Sequence, residues 1–239
     1  MKWSLLALLV AGVAVILLLI GGPGTRLGLW DFGFGFQLMR YALYAGIAGA
    51  SLALVLLIIP ATRKGSAFML ILAMITSLVV ITVPLQLRDT ARSVPFIHDI
   101  TTDTSNPPQF VAVLPLRADA PNPPEYAGAE VAAQQLEAYP DIQTRAFERS
   151  TDEVFQAALA AAEAQPWDII DVAAADGRIE AVETTLWYGF KDDVVIRIEP
   201  TPGGSKLDVR SKSRIGGSDL GANAARIREF LASLEQQLD

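Results

Sequence analysis

Trp3 to Ile20, Tyr41 to Ile59 and Ser66 to Leu87 contain no Asp, Glu, Lys, Arg or His. A hydrocarbon core about 30 Å thick asks for roughly 20 apolar residues in a helix, and each run is about that long. Three transmembrane helices are therefore expected, over about residues 3–20, 38–60 and 66–87, in a membrane domain of residues 1–91. The lipid bilayer is the first partner the chain implies.

The first run has to be weighed against a secretory signal peptide. Lys2 gives a minimal positive n-region, but Gly21-Gly22-Pro23-Gly24 follows without a small-x-small cleavage site, so a retained helix is expected. Pro84 is expected to kink or end the third helix. Arg63 and Lys64 lie in the short turn between runs two and three, whereas the first loop carries only Arg26 and Asp31. The excess of Lys and Arg in short cytoplasmic loops places that turn and Lys2 inside. Everything after Leu87 is then expected on the periplasmic side of a bacterial inner membrane. Arg88 and Arg92 weigh mildly the other way.

Gly21 to Gln37 is rich in glycine and aromatics and is expected as a loop, with Trp30, Phe32, Phe34 and Phe36 at headgroup level. The alternative is a re-entrant segment, but no ionisable pair inside the apolar runs points to transport.

Charge divides the chain sharply. Six of its 19 basic and two of its 26 acidic residues precede Thr90, which leaves 13 basic and 24 acidic residues beyond and a net charge of −11 there. So acidic a domain lacks the positive field that nucleic acid demands. With no cysteine, disulfides, thiolate metal sites and cysteine nucleophiles are excluded.

Residues 92–148 read as an exit segment and proline-rich arm, broken at Asn106-Pro107-Pro108 and at Ala120-Pro121-Asn122-Pro123-Pro124, with a short helix over Ala129 to Ala138. An α+β core is expected over residues 149–239. Ser150-Thr151-Asp152-Glu153 is a capping box. Four strand-like runs follow, Trp167 to Ala173, Arg178 to Trp187, Asp193 to Glu199 and Lys206 to Ile215, then a helix from Ala222 to Leu238. That order predicts a four-stranded antiparallel sheet with helices packed on one face.

Several separated motifs carry a family likeness: Ile97-His98-Asp99-Ile100-Thr101-Thr102-Asp103, Tyr139-Pro140-Asp141, Gly177-Arg178-Ile179-Glu180-Ala181, Phe190 to Arg197 and Asp208 to Asn223. From about Phe96 to Leu238 the chain resembles the domain of unknown function 1499 family. The resemblance implies a bacterial or plastid protein without an assigned activity, and it transfers no catalytic residue.

Alternation in Lys206 to Ile215 puts Leu207 and Val209 on one face and Arg210, Lys212 and Arg214 on the other. If the first pair meets the helices, a cationic row projects from the open face, joined by Arg197 of the neighbouring strand. Arg197, Arg210 and Arg214, with the glycine turn Gly216-Gly217 before the last helix, form the candidate anion or partner-binding site. The alternative is a solvated face paired across strands with Glu180, Glu199 and Asp208. For the turn, the alternative is a helix cap by Ser218 or Asp219.

His98 is the only histidine, and no Gly-x-Ser-x-Gly elbow accompanies it. No catalytic residue, cofactor or metal is expected. Three functions stay open: a membrane-anchored periplasmic binding or assembly factor, a structural accessory subunit of a larger membrane complex, and a hydrolase using His98.

Overall fold

A computed structural model describes residues 2–238. The chain forms two compact units, one running up to Thr90 and taking in Leu186–Gly189, the other made of Ala91–Thr185 and the chain from Phe190 on.

The first unit is helical: α1 (Lys2–Arg26), α2 (Phe32–Ile58), a single turn α3 (Pro60–Arg63) and α4 (Ala67–Ser93). The three long helices are long and apolar enough to cross a membrane. The expected loop Gly21 to Gln37 is instead mostly helix, because α1 continues through Pro23 and α2 starts at Phe32. In an apolar medium the backbone must satisfy its own polar groups, so helix persists wherever packing allows. Glycine makes the packing possible: a Cβ on Gly21 would fall 3.0 Å from the Gly35 carbonyl oxygen. Pro84 likewise lies inside α4, which runs past the expected end at Leu87. Gly46 and Gly49 of α2 are buried against Ser77 of α4, so this small-residue face is consumed inside the chain.

The second unit is α+β. It contains β1 (Asp99–Thr101), α5 (Ala129–Ala138), β2 (Arg145–Phe147), α6 (Thr151–Glu163), β3 (Trp167–Ala173), β4 (Arg178–Thr184), β5 (Lys191–Thr201), β6 (Gly204–Ser213) and α7 (Ala222–Leu238). Its sheet is antiparallel in the order β1-β6-β5-β4-β3, with β2 also on β6. The expected four strands become six because β1 and β2, three residues each, share the outer edge of β6. Segments that short carry no readable period.

Apolar alternation builds the main core. Ile179, Ile196, Leu207 and Val209 face α6 and α7, where Val154, Phe155, Ile227, Phe230 and Leu234 close the layer. The Ser150 capping box starts α6, and the rings of Trp167 and Phe230 stack with centroids 5.7 Å apart. The opposite face of the sheet is not open. A second cluster, Phe110 and Val113 on Val182 and Val195, lays the proline-rich arm across it.

Candidate functional site

Under that arm lies a layer of charge. Asp99 of β1 is in register with Lys212 of β6, and Thr101 with Arg210, so one carboxylate stands beside two cations. Arg210 donates to Asp99 from Nε and Nη2, each at 2.9 Å, the forked geometry that suits guanidinium to carboxylate. Its remaining reach goes to the arm: Nη1 donates to the Pro108 carbonyl at 3.2 Å and Nη2 to that of Pro124 at 2.9 Å. The guanidinium also lies over the rings of Phe110 and Tyr126, at 4.8 and 5.5 Å. Lys212 Nζ sits 3.0 Å from Asp99 and donates to the Glu125 carbonyl at 2.5 Å.

A second carboxylate repeats the arrangement. Asp193 of β5 accepts from Arg214 Nη2 at 2.6 Å and lies 3.1 Å from Arg117 Nη1 on the arm. Arg214 Nη1 donates to the Leu116 carbonyl at 2.6 Å, and Arg117 Nη2 to that of Asn122 at 3.0 Å. Glu180 of β4 works in the other direction. Its carboxylate accepts from the backbone N–H groups of Val111, Ala112 and Val113 at 2.9 to 3.0 Å, and Arg178 Nε lies 2.9 Å away.

Burial sets the electrostatics. It pushes the Lys212 ammonium below its ordinary value, against the pull of Asp99. It lowers Arg117 against the pull of Asp193. Burial, then the Asp99 charge, pushes the Tyr126 phenol up to about 12. Ions held this way gain little net stability over apolar residues of the same volume, but removing one partner strands a buried charge. The layer therefore ties the arm to the sheet through pairs that are costly to break one partner at a time.

The candidate residues separate in space. Arg210 is fully buried, and Arg214 is mostly so and on a different carboxylate. Arg197 belongs to a third group, with Asp208 at 2.9 Å, Glu199 at 3.2 Å and Asp103 at 3.4 Å. The expected open cationic row is thus covered by arm and carboxylates. In the glycine turn it is a carbonyl that is engaged, since Gly216 O accepts from Asn122 Nδ2 at 2.9 Å. A Cβ on Gly217 would fall 2.5 Å from the Phe96 ring. Asp219 fills the place an anion would take at the start of α7, accepting from the N–H groups of Gly221 at 2.8 Å and Asn223 at 3.0 Å. Burial raises the Asp219 carboxyl above its ordinary value.

Sequence reasoning missed Asp99, Asp193 and Arg117 as partners, whereas it names Glu180 and Asp208 as cross-strand partners of the cationic face. The signal was present for Asp99 and Asp193, as acidic residues at positions facing away from the helices. Nothing in the arm's own pattern marks Arg117. On the helix side of the sheet a smaller polar network ties Arg226 to Glu183, Asp192, Asn223 and Ser211. His98 rests with Nδ1 3.4 Å from the Gly217 carbonyl, and among the described residues no group of three or more His, Asp or Glu is placed to hold a metal ion.

A family model described as "Protein of unknown function (DUF1499)" matches residues 99–234, from the Asp99 carboxylate through most of α7. No curated protein and no solved structure matches the chain.

Proposed function

The chain belongs to the DUF1499 family, proteins of unknown function, and from that premise we propose a membrane-anchored, non-catalytic binding or assembly factor. Its helices hold it in the inner membrane of a bacterial cell as a multi-pass protein. Arg63 and Lys64 in the short turn before α4 favour a cytoplasmic turn, which sends the α+β domain to the periplasm.

One observation carries the binding role. The arm segment pinned by Glu180 and Arg117 turns three large apolar side chains outward: Val111, Leu114 and Leu116 are 49, 39 and 52 % exposed. Apolar side chains exposed close together along one short segment suit a docking face. The ionic layer beneath keeps that face rigid, which lowers the ordering cost of association. The partner that fits is a protein with its own apolar patch in or near the membrane. Cations and carboxylates of the candidate site are committed to one another and to carbonyls, which argues for a support role over chemistry. His98 does not favour the hydrolase, since its ring Nδ1 lies against the Gly217 backbone carbonyl. An accessory subunit would have to pack through a face other than the Gly46 and Gly49 side of α2.

A photo-crosslinking residue at Leu114 tests the reading in cells. One dominant crosslinked protein, lost when Val111 and Leu116 are both changed to Ser in a folded variant, is the expected result. Unchanged crosslinking in that variant, or labelling without a dominant partner, would remove the basis for it.

A further inference from the structure

The helical unit contains an apolar groove of about 590 Å³, a volume in the range of small-molecule sites. One end is formed by Leu18 and Leu19 of α1, Met39 of α2 and Val83 of α4. Its other end is formed by Gln86, Leu87 and Thr90 of α4 with Trp187 and Tyr188. From Val83 to Thr90 the helix rises about 10 Å at 1.5 Å per residue, and along that rise an amide, a hydroxyl and an indole join the leucine and valine side chains.

The aromatic wall is built in. A Cβ on Gly22 would fall 2.1 Å from Trp187 Cδ1, so only glycine leaves room for the indole. Tyr188 stands against Phe36 with ring centroids 4.9 Å apart, and Arg26 Nη1 donates to the Leu186 carbonyl at 2.7 Å. Three contacts thus hold the segment Leu186–Gly189 in place within this unit.

We propose that this groove holds one acyl chain of a membrane phospholipid, with the ester and headgroup end at Gln86 and Thr90. The polarity gradient selects an amphipathic occupant over a wholly apolar one. The setting supplies it, because walls at the end of membrane-length helices lie where lipid chains meet their headgroups. Tryptophan and tyrosine suit that boundary, with an apolar body and a polar tip. The inference requires only that the three helices cross a bilayer. It stands whether or not the α+β domain has a protein partner.

The test uses the full chain in mild detergent with added palmitoyl-oleoyl phosphatidylethanolamine, observed by native mass spectrometry. One phospholipid should stay bound through detergent removal. Val83→Trp, which fills the groove, should lower its occupancy at least tenfold, whereas Leu78→Trp, exposed on a different face of α4, should leave it unchanged. A second measurement needs no variant: a phospholipid with a diazirine in its acyl chain should label Met39 and Val83 several-fold above Ile71 and Leu78, which are exposed on other faces of α4. Wild-type protein without bound phospholipid, retention of an isoprenoid or detergent only, equal occupancy in folded Val83→Trp protein, or even labelling of the four positions would each overturn the proposal.

Discussion

Arg210 and Asp99 face each other through two parallel hydrogen bonds of 2.9 Å, and both side chains are wholly buried. One comes from the longest-range pairing in the sheet, β1 with β6, and the other from the strand that looked most like an open binding face. What seemed a recognition surface is the underside of a cover.

Changing Asp99 to Ala should therefore be far more damaging than an average substitution. It strands Arg210 and Lys212 without a counter-charge, and loss of one partner in a buried pair costs about 3–5 kcal/mol. The triple variant Asp99→Leu, Arg210→Met, Lys212→Met should recover most of that loss. Urea unfolding midpoints of the three proteins in the same detergent decide it; a triple variant no more stable than Asp99→Ala would show that the charges themselves are required.

Glu180 fixes the arm through three backbone donors. Glu180→Ala leaves those N–H groups without their acceptor, at about 1–3 kcal/mol for each one that stays buried. Amide hydrogen exchange at Val111, Ala112 and Val113 should accelerate at least tenfold, while exchange in β5 stays near its wild-type rate. Equal acceleration in both places would mean global unfolding and not release of the arm.

Phe230 is fully buried and stacks on Trp167. Phe230→Ala should cost about 3–5 kcal/mol, the usual range for a buried aromatic. A loss below about 1 kcal/mol would contradict the packing of α7 on the sheet.

Asp219 gives a pH dependence with a definite sign. Its carboxyl is raised above the ordinary 3.8 by burial. Between the unfolded and the folded value the native state binds the extra proton, so the contribution of this group to stability falls as pH rises through that window. Asp219→Asn should remove this fall. The wild-type minus Asn difference in unfolding midpoint should therefore decrease from pH 4 upward and level off once the native carboxyl is ionised. A difference that stays flat or increases with pH would refute the assignment.

Much of the architecture was legible from residue pattern. Charge-free runs marked the helices, Ser150 and Glu153 marked the start of α6, and alternation in β6 sorted Leu207 and Val209 from Arg210 and Lys212. What was illegible has a common physical origin. β1 and β2 are too short for a period, and their pairing depends on an edge formed elsewhere in the chain. The arm is held by carbonyls of Pro108, Pro124 and Glu125, and a carbonyl is the same in every residue. Proline has no N–H and so cannot serve a strand interior, which made these segments look like linkers. Their acceptors were what the buried cations required. At Gly22 the sequence offered a glycine but no hint that an indole more than 160 positions away would occupy the space.

Chain connectivity gives the Asp99 clamp a mechanical meaning. Only residues 94–98 separate the end of α4 from β1. Along the chain, Asp99 is therefore the first residue of the sheet that follows α4. There it meets a bidentate guanidinium and an ammonium, with Ser213 N–H also bonded to the His98 carbonyl at 3.0 Å. Bonds between strands run across the strand axis, so a force directed along β1 would load them together in shear. A chain loaded at that point would meet buried, paired charges before the rest of the fold.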